Sequence, residues 1–202
     1  MKNIYEELMD LMNDINLSEQ IELSDIPSLD LYMDQVTTLF DNKLQSFKRI
    51  EEDKILTKTM INNYAKAKLL LTVKGKKYSK EQMVLLALIY NLKQTLSIND
   101  TGLVLEPILK KLSQNDSTFS LYNLYNNFLD LNKLQNEGFE RWFGEKITFI
   151  QEKYKDTPSD DEEHLILTVL MLISSANIQK RMAEKIIDTF LTPKIKNPKT
   201  EK

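Results

Sequence analysis

The stretch LTKTMINNYAKAKLL, residues 56–70, combines basic, hydroxyl and amide side chains and contains no acid. A lysine neutralises a DNA phosphate whatever the neighbouring base, and a hydroxyl near a helix N-terminus can donate to a phosphate oxygen. Asparagine can bind adenine through two hydrogen bonds in the major groove. These residue types therefore predict contacts with double-stranded DNA rather than catalysis.

The spacing of the polar residues predicts that they share one face of a helix. Thr57 is a suitable N-cap, and Thr59, Asn62, Asn63 and Lys66 follow at intervals of three and four, which makes them neighbours on a helix surface. The other side of the helix is predicted to pack inward through Ile61, Tyr64 and Ala65.

The two asparagines are predicted to act differently. Adjacent residues lie about 100° apart around a helix, so both cannot face a base edge equally well. We expect Asn62 to bind a base, and Asn63 to contact either a base or a phosphate. We expect Tyr64 to pack in the core, with a phosphate contact of its hydroxyl as the alternative. Simple solvent exposure of both asparagines is the non-functional interpretation.

The near-neutral total charge of −3 conceals a concentrated basic block. Residues 1–53 carry a net charge of −9 and residues 81–202 carry −2, whereas residues 54–80 contain eight lysines and no acid. Charge asymmetry of this kind indicates a polyanionic partner, and a solvated lysine-rich surface is the plainer explanation.

A second basic element follows the predicted helix. The sequence LTVKGKK, residues 71–77, has one turn glycine, Gly75, between lysines, and this pattern is typical of a short β-hairpin or wing. The helix at 57–68 and the wing at 72–78 together give the predicted DNA-binding residues: Thr57, Lys58, Thr59, Asn62, Asn63, Tyr64, Lys66, Lys74, Lys76 and Lys77.

Helical patterns surround these two elements, so we expect a mainly all-α protein. A helix is predicted through residues 29–47 after an N-cap at Ser28, and another after Ser79, where Gln82 completes a capping box. The nearly uniform hydrophobicity of Met83–Leu92 places the latter helix in the core. Ser97 predicts one more helix start, with Gly102 and Pro107 limiting that helix and a short piece following at 107–112.

The rest of the chain also has helical periodicity. Residues 3–16 predict a helix with Ile4, Leu8, Leu11 and Ile15 on one apolar stripe. SQNDS at 113–117 is the best candidate boundary between domains. The predicted divisions are a helical arm at 1–24, a domain at 25–112, a helical assembly or sensing domain at 118–191 with four helices near 118–134, 137–154, 160–176 and 177–191, and a disordered tail at 192–202.

The order of these elements resembles the winged helix-turn-helix of MerR-type transcription regulators. LTKTMINNYAKAKLL is similar to their recognition helix, and KKYSKEQM is similar to the run that leaves their wing. In this alignment Thr57 takes the cap position, Ile61 the buried isoleucine, Tyr64 the second tyrosine, and Leu69 and Leu70 the closing leucines. Asparagines stand where that family has arginine and its first tyrosine.

A closer resemblance is to a bacterial family catalogued as domain of unknown function 1836. The segments PSLDLYMDQVTTLF, LTKTMINNY and KKYSKEQ are typical of that family. The resemblance covers roughly residues 25–130 and implies a MerR-like winged helix-turn-helix fold, with no established activity. The predicted function is a DNA-binding transcription regulator in the cytoplasm of a bacterium.

Other functions have weaker support in the sequence. The chain has no cysteine, one histidine and no glycine-rich phosphate loop, so we expect neither an enzyme nor a cofactor. His164 lies among acids, and we expect an exposed helix end there rather than a metal site. No apolar run reaches the ~20 residues of a membrane span.

Two questions about partners stay open. The alternative function is a protein-interaction module of the same fold that binds an acidic protein through the basic block. The aromatic residues of 119–154 can form a core or a homodimer, or they can line a pocket for an unknown small-molecule effector. We expect a homodimer without a membrane partner.

Overall fold

The computed structural model describes residues 3–15, 17, 19–154 and 161–193. The predicted disordered tail at 192–202 lies outside these ranges except for its first two residues. The chain is mainly helical, as predicted, and the described residues contain one sheet of two short strands. The elements are α1 (Ile4–Asp14), β1 (Leu31–Tyr32), α2 (Met33–Lys43), a 3-10 turn (Gln45–Phe47), α3 (Lys58–Lys66), β2 (Lys77–Tyr78), α4 (Lys80–Lys93), α5 (Ile98–Ser113), α6 (Leu121–Tyr154), α7 (Asp161–Ile186) and a π-helical segment (Ile187–Leu191).

Helix α4 is the buried centre, as the sequence predicts. The Ser79 hydroxyl accepts from the Gln82 amide at 3.4 Å, and the Gln82 side chain accepts from the Ser79 amide at 2.8 Å. This confirms the predicted capping box, which fixes the start of the helix. Every residue from 82 to 89 is buried, so neighbouring elements cover α4 on all sides.

The start of α2 differs from the prediction. The helix begins at Met33 and not after Ser28, because Leu31 and Tyr32 are extended and pair with β2. The pairing is antiparallel, with Leu31 opposite Tyr78 and Tyr32 opposite Lys77. This small sheet ties the predicted wing to the entrance of α2.

Helix α5 is continuous where two pieces were predicted. Its start at Ser97 is confirmed, since the Ser97 hydroxyl accepts from the Asp100 amide at 3.1 Å. Pro107 is exposed within the helix and removes one backbone donor. Leu105 is fully buried before it and Ile108 packs on the core after it, and this packing holds the helix together across the proline.

Among the described residues, the C-terminal part contains two long helices and a short π-helical segment rather than the four helices predicted. Gly138 lies inside α6 without ending it. A glycine costs a helix about 1 kcal/mol relative to alanine, and the buried residues Leu129 before it and Phe143 after it outweigh that cost. Helix α7 likewise continues past residue 177 to Ile186. None of the described helices combines the length and hydrophobicity that crossing a membrane requires.

Two groups of buried side chains hold the chain together. The central core runs from Ile21 to Leu129 and includes side chains of α2, α3, α4, α5 and the first turns of α6. The bundle core consists of Leu8, Met12, Phe143 and Ile147, so α1 packs on the second half of α6. The central core therefore crosses the predicted boundary at 113–117, and the division into domains stays a prediction.

The predicted apolar stripe of α1 is partly wrong. Leu8 is buried as expected, but Leu11 and Ile15 are about half exposed, and Met12 is buried in their place. Helix α1 presents Leu8 and Met12, one turn apart, to Phe143 and Ile147 of α6. The side of α1 that contacts α6 is therefore rotated around the helix axis relative to the predicted stripe of Ile4, Leu8, Leu11 and Ile15.

Candidate nucleic-acid interface

Helix α3 presents the predicted polar face to solvent. Thr57 caps the helix, and its hydroxyl oxygen accepts from the Met60 amide at 3.1 Å. Ile61 is 0% exposed and Tyr64 is 4% exposed, so these two side chains anchor α3 to the central core. The predicted face is confirmed as exposed at all four positions: Thr59, Asn62, Asn63 and Lys66.

Ala65 is exposed, contrary to the prediction that it packs inward. It lies in the last turn of α3, where Tyr64 and Leu69 fill the contact with the core. The Leu69 amide donates to the Tyr64 carbonyl at 3.0 Å and closes the helix, with Lys68 at a positive φ of 60°. The short methyl side chain of Ala65 therefore has no core position left to fill.

Burial settles the position of the Tyr64 side chain. The ring packs in the central core, which confirms the expected packing role. Burial also raises the pKa of its hydroxyl, so the group is neutral at ordinary pH. Tyr64 thus supports α3 from below, and the exposed face consists of its neighbours.

The predicted wing is a tight two-residue turn. The Lys77 amide donates to the Lys74 carbonyl at 3.1 Å across the turn. Gly75 and Lys76 have φ values of 58° and 61°, which is the backbone of a type I′ hairpin turn. Lys74, Lys76 and Lys77 are all exposed. The Lys77 ammonium lies 5.0 Å from the centre of the Tyr32 ring, so a cation–π contact orients it.

Helix α3 and the wing flank one surface depression. Its volume is about 450 Å³, and Lys58 lines one side while Lys76 lines the other. Asp34, in the first turn of α2, lies in the same depression and forms an ion pair with Lys58. The structure therefore brings Lys58 and Lys76 together, although 18 positions separate them in sequence.

Sequence reasoning missed Asp34. Both partners of this ion pair are more than half exposed, so the pair contributes at most about 1 kcal/mol to stability. An acid in the first turn of α2 is a recognisable helix-start signal. Its proximity to Lys58 depends on how α2 packs on α3, and no local pattern encodes that.

Seven of the eight lysines in the acid-free block are exposed, which leaves the basic surface open to solvent. Lys80 differs, because its ammonium donates to the Leu23 carbonyl at 2.8 Å and lies 5.9 Å from the centre of the Tyr122 ring. Lys80 is therefore a structural residue that ties α4 to the segment before β1. The exposed lysines are Lys54, Lys58, Lys66, Lys68, Lys74, Lys76 and Lys77.

His164 is buried, contrary to the expected exposed helix end. The Tyr5 hydroxyl lies 3.2 Å from His164 Nδ1, and the Tyr154 ring packs against the imidazole. The histidine joins α1, α6 and α7 and so has a packing role. Among the described residues, no group of histidine, aspartate and glutamate has the arrangement of a metal site.

Two further depressions involve the C-terminal helices. One, of about 370 Å³, lies between α4, α6 and residues 17 and 19–21, and amide side chains such as Asn91 and Asn136 line it. The other, of about 570 Å³, has Phe139 and Trp142 on its edge. The aromatic residues thus both pack and border a depression, and the small-molecule effector stays a prediction.

Comparison with known proteins places the chain in a family. Residues 21–128 match the family described as Domain of unknown function (DUF1836). This range contains both strands, α2 to α5 and the start of α6, so it includes the whole basic surface. No match is found among curated proteins, and none among solved structures. The matched range covers more than half of the sequence, and the chain therefore belongs to the DUF1836 family.

Proposed function

We propose that this protein is a DNA-binding transcription regulator that binds double-stranded DNA through α3 and the wing at 72–78. The observation that carries the proposal is the convergence of exposed lysines from two elements on one surface, where Asp34 is the one acid among the described residues that line the shared depression. Lysines that neutralise phosphates release counterions, and this release supplies most of the affinity in non-specific binding. In this arrangement α3 enters the major groove and the wing follows the backbone.

Phosphate contacts come from both ends of α3 and from the wing. Lys58 and Lys66 are separated by about two helical turns on the exposed side, which suits phosphates on either side of a groove. The Thr57 oxygen accepts from the Met60 amide, and its hydroxyl hydrogen donates to a phosphate. Lys74 and Lys76 contact the adjacent backbone from the hairpin turn.

Base contacts come from the middle of the helix. Asn62 lies one turn after Lys58 and one turn before Lys66 on the exposed side of α3. It binds adenine through N6 and N7, a contact worth about 1–3 kcal/mol of discrimination. Asn63 points about 100° away and contacts a phosphate or the edge of the next base.

We also propose that residues 25–112 form a winged helix-turn-helix of the MerR-like kind. Support comes from the order of structural features along α3. Thr57 caps the helix, and Ile61, Tyr64 and Leu69 are buried after it. The wing then leads directly to Ser79 and the central helix α4. Further support comes from β1, which pairs with β2 and fixes the wing beside α3.

The proposal is tested by titrating a random-sequence pool of labelled DNA duplexes with protein at several salt concentrations. Binding by the wild type should weaken steeply as salt rises. The Lys58→Ala/Lys66→Ala variant loses two phosphate contacts, so its slope of log affinity against log salt should fall by about 2. A fluorescence anisotropy titration measures both quantities.

The matched control is Lys110→Ala/Lys146→Ala, which removes the same charge from exposed positions on α5 and α6. Its affinity and salt slope should stay close to those of the wild type. If both double variants lost binding equally, affinity would depend on the net charge of the protein and not on the position of the lysines. That result would contradict the proposal. Binding to polyglutamate with no binding to DNA would favour the alternative, an acidic protein partner.

A further inference from the structure

Helix α7 carries a strip of exposed aliphatic side chains. Its buried side chains between Asp161 and Ile186 are two polar residues, His164 and Thr168. Met171 and Leu172 pack against the bundle core, whereas five other aliphatic residues between 165 and 173 face the opposite way, with exposures from 39% to 59%. These outward side chains are Leu165, Ile166, Val169, Leu170 and Ile173, and we name them the outer face of α7.

The outer face is large enough to form the centre of a protein–protein interface. Five aliphatic side chains at this exposure present on the order of 450 Å² of apolar surface, which is comparable with the largest patch on a typical monomer. It also amounts to more than half of the ~800 Å² that each partner buries in a standard protein–protein interface. The flanking residues of the same helix can supply the remainder.

Opposite charges lie at the two ends of the outer face. No charged residue occurs from 165 to 179. Acids precede this segment and bases follow it, with Glu162 before and Lys180 after. These two exposed residues are 18 positions apart, or about five complete turns, so they project from the same side of the helix as the outer face.

We propose that the outer face of α7 is the interface of a homodimer in which the α7 helices of two copies pair antiparallel. A two-fold axis near residue 171 places Leu170 of each copy against the partner helix. The same axis brings Glu162 of one copy beside Lys180 of the other, twice per dimer. A parallel pair would place like charges together, so the charges select the antiparallel arrangement.

The existing contact of Lys180 is compatible with this pairing. Its ammonium is 3.8 Å from Glu184 Oε1 one turn later, and both side chains are over 40% exposed. An exposed ion pair at this distance is weak, so the ammonium can also reach a second carboxylate. The proposal is independent of DNA binding, because α7 lies outside the family-matched range and its test uses no DNA.

Sedimentation equilibrium of the full chain at micromolar concentration tests the proposal. The wild type should have twice the 23.6 kDa mass of one chain. Leu170→Glu places two charges in the apolar centre and should raise the dissociation constant by ~100-fold or more. The matched control, Leu29→Glu, changes an exposed leucine outside α7 and should leave the dimer intact.

Charge reversal tests the orientation. Glu162→Lys and Lys180→Glu each create two like-charge contacts and should weaken the dimer by roughly 3–10-fold. The double variant restores opposite charges and should return to within about 3-fold of the wild type. A monomeric wild type, a Leu170→Glu dimer of unchanged affinity, or a double variant weaker than both single variants would overturn the proposal. Circular dichroism checks that each variant keeps its helices.

Discussion

The central core and the bundle core differ in how completely each one covers the helices that form it. The central core has 22 buried residues between Ile21 and Leu129, whereas the bundle core has four. All eight residues at 82–89 of α4 are buried, while the five aliphatic residues of the outer face of α7 are exposed to solvent. The first core covers its central helix on all sides, whereas the second leaves one side of α7 exposed.

This difference separates two roles of hydrophobic residues. In the central core they fix positions, because Ile61 and Tyr64 hold α3 so that its polar face stays outward. In the outer face of α7 the hydrophobic residues are exposed, where we propose that they contact a second copy of the chain. The candidate DNA surface therefore rests on the larger core, and the candidate assembly surface belongs to a helix with few buried side chains.

The largest expected difference in stability is between two variants that each truncate one leucine, one in α4 and one in α7. Leu86→Ala creates a cavity in α4, where the side chain is 0% exposed, and should lower the free energy of unfolding by about 2–5 kcal/mol. Leu170→Ala removes a side chain that is 59% exposed and should change the unfolding free energy of the monomer by less than about 0.5 kcal/mol. Urea denaturation at low protein concentration measures both. Similar losses would show that α7 is as well packed as α4.

A smaller effect tests how far the central core extends toward the N-terminus. The buried Tyr125 hydroxyl donates to the Ile21 carbonyl at 2.6 Å. Tyr125→Phe leaves that carbonyl without its donor and should cost about 1–3 kcal/mol. Leu124→Ala, in the same helix but partly exposed, is the control and should cost less. Chemical denaturation measures the free energy of unfolding of both variants, and Tyr125→Phe should lose more of it than Leu124→Ala.

The same tyrosine gives a pH dependence with a definite sign. Burial, and then the charges of Asp25 and Glu22, raise the pKa of Tyr125 above its ordinary value of 10.0. Above about pH 10 the unfolded chain releases a proton that the folded chain keeps, so stability falls by up to about 1.4 kcal/mol per pH unit for this group. Unfolding titrations between pH 9 and 11 should show a shallower decline for Tyr125→Phe. An identical decline in variant and wild type would contradict the assignment.

The cap of α3 should have an effect of intermediate size. Thr57→Ala removes the hydroxyl that accepts from Met60 and should destabilise the protein by about 1 kcal/mol. Thr59→Ala changes an exposed threonine two positions later and should cost less than about 0.5 kcal/mol. Thermal unfolding distinguishes them. Equal shifts would mean that α3 does not depend on its cap.

The smallest effect concerns the acid beside the basic surface. Asp34 pairs with Lys58 and would repel a phosphate in the depression that they share. Asp34→Asn should therefore raise DNA affinity by a few-fold with little change in stability, as removal of one exposed charge implies. Asp130→Asn, on the exposed surface of α6, should leave affinity unchanged. An unchanged or weaker affinity for Asp34→Asn would place the DNA elsewhere.

Local signals in the sequence predicted the parts of the fold that depend on neighbouring residues. The capping box at Ser79 and the cap at Thr57 fixed two helix starts correctly. Helical spacing also predicted the exposed face with Asn62 and Lys66. These features depend on residues three or four apart, so the chain itself contains the information.

The errors have one physical cause, which is packing between distant segments. A helix limit at Pro107 and a break between residues 134 and 137 were expected, and burial on both sides of each overrides those local preferences. The helix expected after Ser28 gives way to a strand because β2, more than 40 positions later, offers a partner. The ion pair of Asp34 with Lys58 belongs to the same class, and no spacing rule reaches that far.

Lysine acetylation followed by mass spectrometry, with and without duplex DNA, tests the central claim most directly. DNA should protect Lys58, Lys66, Lys74 and Lys76, because their ammonium groups face phosphates in the proposed complex. Lys110 and Lys146, which are exposed on α5 and α6, should react at the same rate in both samples. Protection of the second group, or no protection of the first while DNA is bound, would contradict the account.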